Sequence, residues 1–127
     1  MSRLFTKFTI RVGTLAHTRS GDKGNTANVG VIAYTTLGYD WLREELTTDL
    51  VKEHFKEVCF GDVDRYELPN LLALNFVLHD VLGGGGSRSL RVDAQGKALG
   101  QAMLQLEIPA PSAYVIEEAL RARASGK

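Results

Sequence analysis

The run Ala16-His17-Thr18-Arg19-Ser20-Gly21-Asp22-Lys23-Gly24-Asn25-Thr26-Ala27-Asn28 is polar and glycine-bearing, and it lies between two segments whose apolar residues alternate. Before it, Phe8, Ile10 and Val12 fall on one face and Thr9, Arg11 and Gly13 on the other, the period of a strand over Phe8 to Leu15. After it, Ala27, Val29, Val31 and Ala33 share one face of a second strand, with Asn28, Gly30, Ile32 and Tyr34 opposite. Both faces of this second strand are small or apolar, which predicts a central position in a sheet covered on at least one side. The polar run then reads as the loop between two strands of that sheet.

Beyond Tyr39 the period becomes helical. Leu42, Leu46, Leu50 and Phe55 recur near every fourth residue, while Arg43, Glu44, Glu45, Lys52, Glu53, Lys56 and Glu57 form a solvated face. Thr47-Thr48-Asp49 carries capping chemistry, which predicts a short helix, a break, and a second helix starting near Thr48. A third strand follows at Val63 to Leu68 and ends at Pro69-Asn70. With Asn70 as its cap, Leu71 to Leu82 is expected to be helical until Gly83 stops it. That helix is apolar nearly all round, which calls for cover from another subunit or protein. Ser89 to Asp93 and Ala98 to Ile108 read as two strands about the turn Ala94-Gln95-Gly96-Lys97, and Ser112 caps a last helix. The sum is an α+β chain, a two-layer sandwich in which helices cover one face of a mixed or antiparallel sheet.

A length of 127 residues fits one domain, with its core at about 8–108 and its last helix at about 112–124. Lys+Arg 15 balances Asp+Glu 15, and the chain lacks the basic surplus or dense basic face that phosphate neutralisation on nucleic acid requires. No apolar run approaches the roughly 20 residues that span a bilayer, and Met1 to Lys7 is too polar for a secretory segment. A single cysteine, Cys59, excludes an intramolecular disulfide. These features predict a cytoplasmic protein. Val58 and Phe60 around the thiol suggest burial rather than nucleophilic use.

Two glycine-rich stretches offer candidate chemistry. Gly21 and Gly24 permit close backbone approach and positive φ, so the amides between them can form an anion-binding concavity, with Arg19 and Lys23 adding charge and Ser20, Asn25 and Asn28 adding polar groups. The other reading is an ordinary polar turn in which Asp22 and Lys23 make a surface ion pair. No phosphate-binding glycine motif of the nucleotide-binding kind is present. Gly84 and Gly85, followed by Ser87, Arg88 and Arg91, offer free amides and guanidinium groups for a second anion contact, or simply a hinge. Among the histidines only His17 lies beside the polar run as an acid/base group, and Asp22, Lys23 or His17 is the candidate to handle a proton. His54 and His79 read as structural, and neither the histidines nor Cys59 has metal-ligand spacing, so no metal or cofactor site is expected.

Four motifs in order resemble one family. Arg19-Ser20-Gly21-Asp22-Lys23-Gly24-Asn25 with Ala27-Asn28-Val29-Gly30-Val31 is similar to the signature of the C-terminal ferredoxin-like domain of the acyclic terpene utilisation protein AtuA and its stand-alone small relatives. Arg65 to Leu71 with Ala73-Leu74-Asn75-Phe76, the glycine run into Ser89-Leu90-Arg91, and Asp93-Ala94-Gln95-Gly96-Lys97 extend the likeness from about Thr9 to Ile108. The resemblance implies a ferredoxin-like α+β fold and a place in acyl-CoA catabolism, such as the breakdown of branched or terpenoid acids, with a CoA thioester as substrate. The long N-terminal domain of the fused relatives is not in this chain, which implies a separately encoded large AtuA-like subunit, a homo-oligomer, or both. The leading expectation is a small subunit of an acyl-CoA-processing assembly whose two glycine-rich loops face one site. The alternatives are a self-sufficient homo-oligomeric hydratase or lyase, and a non-catalytic partner-binding module.

Overall fold

The computed structural model of the chain describes residues 8–81 and 98–125. In order, these are Thr9–Arg11 (β1), a helical turn Val12–Leu15 (α1), Ala16–Lys23 (β2), Thr26–Ala33 (β3), Thr36–Glu45 (α2), Thr48–His54 (α3) and Val63–Leu68 (β4). A 3-10 turn at Pro69–Leu71 leads into Ala73–Leu78 (β5), residues 98–105 are helical (α4), and Glu107–Pro109 (β6) and Ala113–Ala124 (α5) complete the order. Four strands form one antiparallel sheet in the order β2-β3-β5-β4, and β1 pairs with β6 in a separate two-stranded ribbon. The architecture is α+β, two layers, with helices on one side of the main sheet.

The start of the chain departs from the alternation of Phe8 to Leu15. The strand ends at Arg11, because Val12, Leu15 and Ala16 turn inward together and each is almost wholly buried. A helical turn places Val12 and Leu15 on one side at three-residue spacing, which a strand cannot do. The supposed loop Ala16 to Asn28 is then a hairpin of two eight-residue strands joined by Gly24 and Asn25. Gly24 holds φ at +62° at the first central position of the connection, a geometry that glycine adopts without strain. Polar residues are tolerated in β2 because it lies at the sheet's edge.

The largest correction concerns Leu71 to Leu82. Ala73–Leu78 is a strand, not a helix, and it lies between β3 and β4 in the sheet. Leu74, Phe76 and Leu78 are fully buried toward the helices, while Ala73, Asn75 and Val77 alternate to the other face. An interior strand is apolar on both faces, so its composition mimics an all-apolar helix. The argument that an over-apolar helix needs outside cover falls with it. Residues 98–105 reverse the error: they are helical although Ala102, Leu104, Leu106 and Ile108 alternate. Buried Leu99 and Met103 stand four apart, with exposed Gln101 and Gln105 also four apart on the outer side. The expected strand Ser89 to Asp93, its turn, and Leu82 to Gly86 lie outside the described residues.

Other expectations hold. Thr47 caps α3 by accepting from the Leu50 amide, Ser112 caps α5 by accepting from the Val115 amide, and β4 ends at Leu68, just before Pro69. The buried apolar residues form one contiguous cluster between the sheet and the helices. In it α4 crosses the inner side of β2, where Thr18 donates its hydroxyl to the Gly100 carbonyl. Trp41 Nε1 donates to the Pro109 carbonyl at 2.8 Å, tying α2 to the β1-β6 ribbon.

Tyr39 is buried in this core, and burial raises its phenol pKa above the ordinary value. Its Oη has no hydrogen-bond partner among the described residues. A buried hydroxyl without a partner costs about 1–3 kcal/mol of desolvation. Tyr39→Phe is therefore expected to raise the thermal midpoint by a few degrees, on the scale of about 1 kcal/mol. A lowered midpoint in differential scanning calorimetry would contradict this account.

Candidate functional site

Among the described residues, helices cover only one face of the main sheet. On the other, the register lines up side chains in rows across the strands. Arg19, Gly30, Asn75 and Tyr66 form one row; Gly21, Asn28, Val77 and Asp64 form the next toward the hairpin tip; His17, Ile32, Ala73 and Leu68 form the row on the opposite side. Strands about 4.8 Å apart place these neighbours within side-chain reach. Exposed Tyr66, Leu68 and Leu71 make the β4 side apolar, whereas Arg19 and Lys23 make the β2 side basic.

Two adjoining grooves run over this face. One, of about 340 Å³, is lined by Arg19, Gly21, Asn28, Gly30, Ile32, Leu68, Leu71, Ala73 and Asn75 among others. The second, also about 340 Å³, lies toward the hairpin tip and is lined by Gly21, Lys23, Thr26, Asn28 and Val77. Gly21 and Asn28 belong to both, so the two form one depression that extends toward Lys23. Neither Arg19 nor Lys23 has an ion-pair or hydrogen-bond partner among the described residues. Two unpaired cations beside a glycine floor can hold an anion, the guanidinium by two parallel bonds and the ammonium as a point charge.

The predicted residues are partly brought together. Arg19, Gly21, Asn28 and Lys23 converge on the depression. Ser20 alternates to the helix-covered side of β2, where it packs beside Gly100, though its backbone still borders the groove. Gly21 sits inside a strand without positive φ, so the amides between Gly21 and Gly24 run along β2 instead of curling around an anion. Gly24 and Asn25 make the turn, and the Asn25 carbonyl accepts from the Val81 amide at 2.8 Å. His17 pairs with Ile32 at one end of β2 and Lys23 with Thr26 at the other. A strand rises about 3.4 Å per residue, so some 20 Å separates them and one proton cannot be shared. The His17 ring rests on Tyr34 with centroids 5.5 Å apart, and its Nδ1 is buried without a partner among the described residues. Asp22 stands opposite Ala27 in the hairpin register. Gly84, Gly85, Ser87, Arg88 and Arg91 lie outside the described residues.

Several residues of the face were not anticipated as site groups. Asn75, Leu68 and Leu71 line the first of the two grooves. His79 lies just past β5 rather than at a helix end, and its Nε2 is 2.9 Å from Asp64 Oδ2 at the rim. Leu71, Asn75 and His79 were hidden by reading Leu71 to Leu82 as a helix, whereas Leu68 falls in an expected strand but not among the expected site groups; strand alternation puts Asn75 and Val77 on the open face at once. Cys59 is buried, its thiol donating to the His79 carbonyl at 3.2 Å, and burial pushes its pKa up, away from the reactive thiolate. Among the described residues no group of three or more His, Cys, Asp or Glu could hold a metal ion, and no helix is long and apolar enough to cross a membrane.

Fold and face together define the class: a ferredoxin-like α+β domain with an antiparallel sheet that is helix-covered on one side and open on the other. The model of the AtuA ferredoxin-like domain family matches residues 10–109, and the chain belongs to that family. No curated protein and no solved structure matches it.

Proposed function

We propose that this chain is a small subunit or domain of an assembly that processes acyl-CoA thioesters in the catabolism of branched or terpenoid acids, and that its open sheet face contributes the anion-binding wall of the thioester site. The observation that carries this reading is the pair of cations Arg19 and Lys23, without ion-pair partners among the described residues, beside the depression floored by Gly21 and Gly30. The phosphates of CoA suit a guanidinium fork and a lysine point charge, and the family likeness supplies the acyl-CoA context. Asn28 and Asn75 add amide groups able to hold a thioester carbonyl. The exposed Tyr66, Leu68 and Leu71 leave an apolar border on which a larger, separately encoded subunit can complete the site.

Thermal shift and calorimetric titration of the whole chain with free CoA and an acyl-CoA test the proposal. A ligand that binds only the folded state must raise the midpoint. The double variant Arg19→Ala, Lys23→Ala should weaken binding at least tenfold, and the wild-type affinity should fall as salt screens the contact. Equal affinity in the double variant, or no binding of any CoA compound, would overturn the ligand assignment. Recovery of the chain alone, with full thioester turnover and no larger protein at native expression, would overturn the subunit assignment.

A further inference from the structure

The open face has two glycines that the fold itself does not demand. Gly21 and Gly30 lie inside β2 and β3, and neither has positive φ. A Cβ on Gly30 would meet the Arg19 carbonyl at 3.6 Å, Asn75 Oδ1 at 3.7 Å and Ile32 Cδ1 at 3.9 Å, all ordinary contacts. On Gly21 it would meet only Asn28 Oδ1, at 3.2 Å, the end of a side chain at an exposed position. Glycine inside a strand weakens it, and its usual reasons are a bulge, a sharp bend, or the close approach of a ligand or another backbone. The register runs unbroken from Ala16↔Ala33 to Lys23↔Thr26 and on into β5, which excludes a bulge. Of the two reasons left, close approach from the open side is the one the groove over both glycines favours.

A second observation says what approaches. The groove that reaches Leu68 changes character along its length. Arg19, Asn28 and Asn75 make one end polar, while Leu68 and Leu71, 41% and 64% exposed, make the other end aliphatic beyond Ala73. At about 340 Å³ it sits near the lower end of ligand clefts, which run from roughly 300 to 1,000 Å³, so it takes part of a ligand.

We propose that this groove is the acyl-chain subsite, with the aliphatic chain lying over Gly30 and Ala73 and ending against Leu68 and Leu71, and the carbonyl end held between Arg19, Asn28 and Asn75. The inference rests on the acyl-CoA reading above and names the part of the substrate this face selects. Gly30 sets the clearance, because any side chain there occupies the path of the chain.

Calorimetric titration of the whole chain with free CoA and with straight-chain acyl-CoA thioesters of increasing length tests it. Each methylene buried in the groove should tighten binding by about threefold to fourfold, until the groove is full and the gain stops. Gly30→Leu should remove the gain, weakening the longest chain accommodated by wild type at least tenfold. Leu71→Asp, at an exposed position where folding is not at stake, should shorten the series. CoA binding with no dependence on chain length overturns the subsite and leaves the anion site standing, as does an unchanged length series in both variants. Absence of binding by every CoA compound overturns the acyl-CoA reading, and the subsite falls with it.

Discussion

Phe76→Ala is expected to destabilise the chain by about 3–5 kcal/mol, enough to leave a domain of this size partly unfolded at ambient temperature. Phe76 has no exposed surface, lies in the interior strand β5, and faces the helices in register with Val29 on one side and Arg65 on the other. Truncation removes the transfer energy of a buried ring and leaves a cavity that neighbouring strands cannot close, because both are fixed by hydrogen bonds to β5. In urea titration the midpoint should fall sharply with the slope unchanged. A loss below about 1 kcal/mol would mean that the ring is not packed as described, since that is less than the transfer energy of a buried aromatic alone. Phe76→Leu, which keeps more of the volume, should recover much of the loss.

The same residue shows why the sequence was legible in some places and not in others. Periodicity reports burial, and it separates helix from strand only where one face is wet. α2 and α3 were legible because exposed charges alternate with Leu42, Leu46, Leu50 and Phe55 near helical spacing, although Val51 rather than Leu50 is the residue fully buried, and because Thr47 sits at the break as a cap. β3 was legible through Val29 and Val31. β5 was not, since Leu74, Phe76 and Leu78 pack on one face while Ala73 and Val77 line the other, leaving no long polar stripe to give the period. α4 failed for the reverse reason: Ala102 and Leu104, both only partly buried, filled out a false two-residue alternation. In each case the deciding information is the tertiary neighbour, which local pattern does not contain.

The candidate site divides in the same way. Arg19, Gly21, Lys23 and Asn28 were visible because polar residues and glycines stand out between apolar segments. Their arrangement was not visible, because a loop and a hairpin share turn formers, and only pairing shows that Ser20 and Arg19 face opposite sides. The partners supplied by β4, β5 and the turn between them, among them Asn75, Leu68 and Leu71, arrive from about forty positions or more away in sequence and are set by strand order. The link between sequence and site therefore runs through the register of four strands.

Arg65→Met should cost about 2 kcal/mol, although Arg65 looks in sequence like one more charge on an edge strand. Its guanidinium Nη1 donates to the Arg43 carbonyl at 2.9 Å and the Leu46 carbonyl at 3.0 Å, and Nη2 donates to Glu67 Oε2 at 2.8 Å. The last carbonyls of a helix have no partner within it, and a cation there also meets the negative end of the helix dipole. Methionine keeps most of the stem packing and removes the donors, so the loss isolates those bonds. Little of it comes from Glu67, which is 45% exposed, where an ion pair contributes about 1 kcal/mol at most. Lysine should restore only part, since an ammonium cannot span both carbonyls and the carboxylate with a planar fork. Because β4 also carries Tyr66 and Leu68 on the open face, hydrogen exchange along Val63–Leu68 should quicken in the methionine variant. Stability within about 0.5 kcal/mol of wild type, together with unchanged exchange, would show that α2 is anchored to β4 by apolar packing alone. Arg65 and Phe76 are cross-strand neighbours, so the double variant is expected to lose less than the sum of the single losses: once the ring is gone, the edge strand that Arg65 fastens has less core to be fastened to.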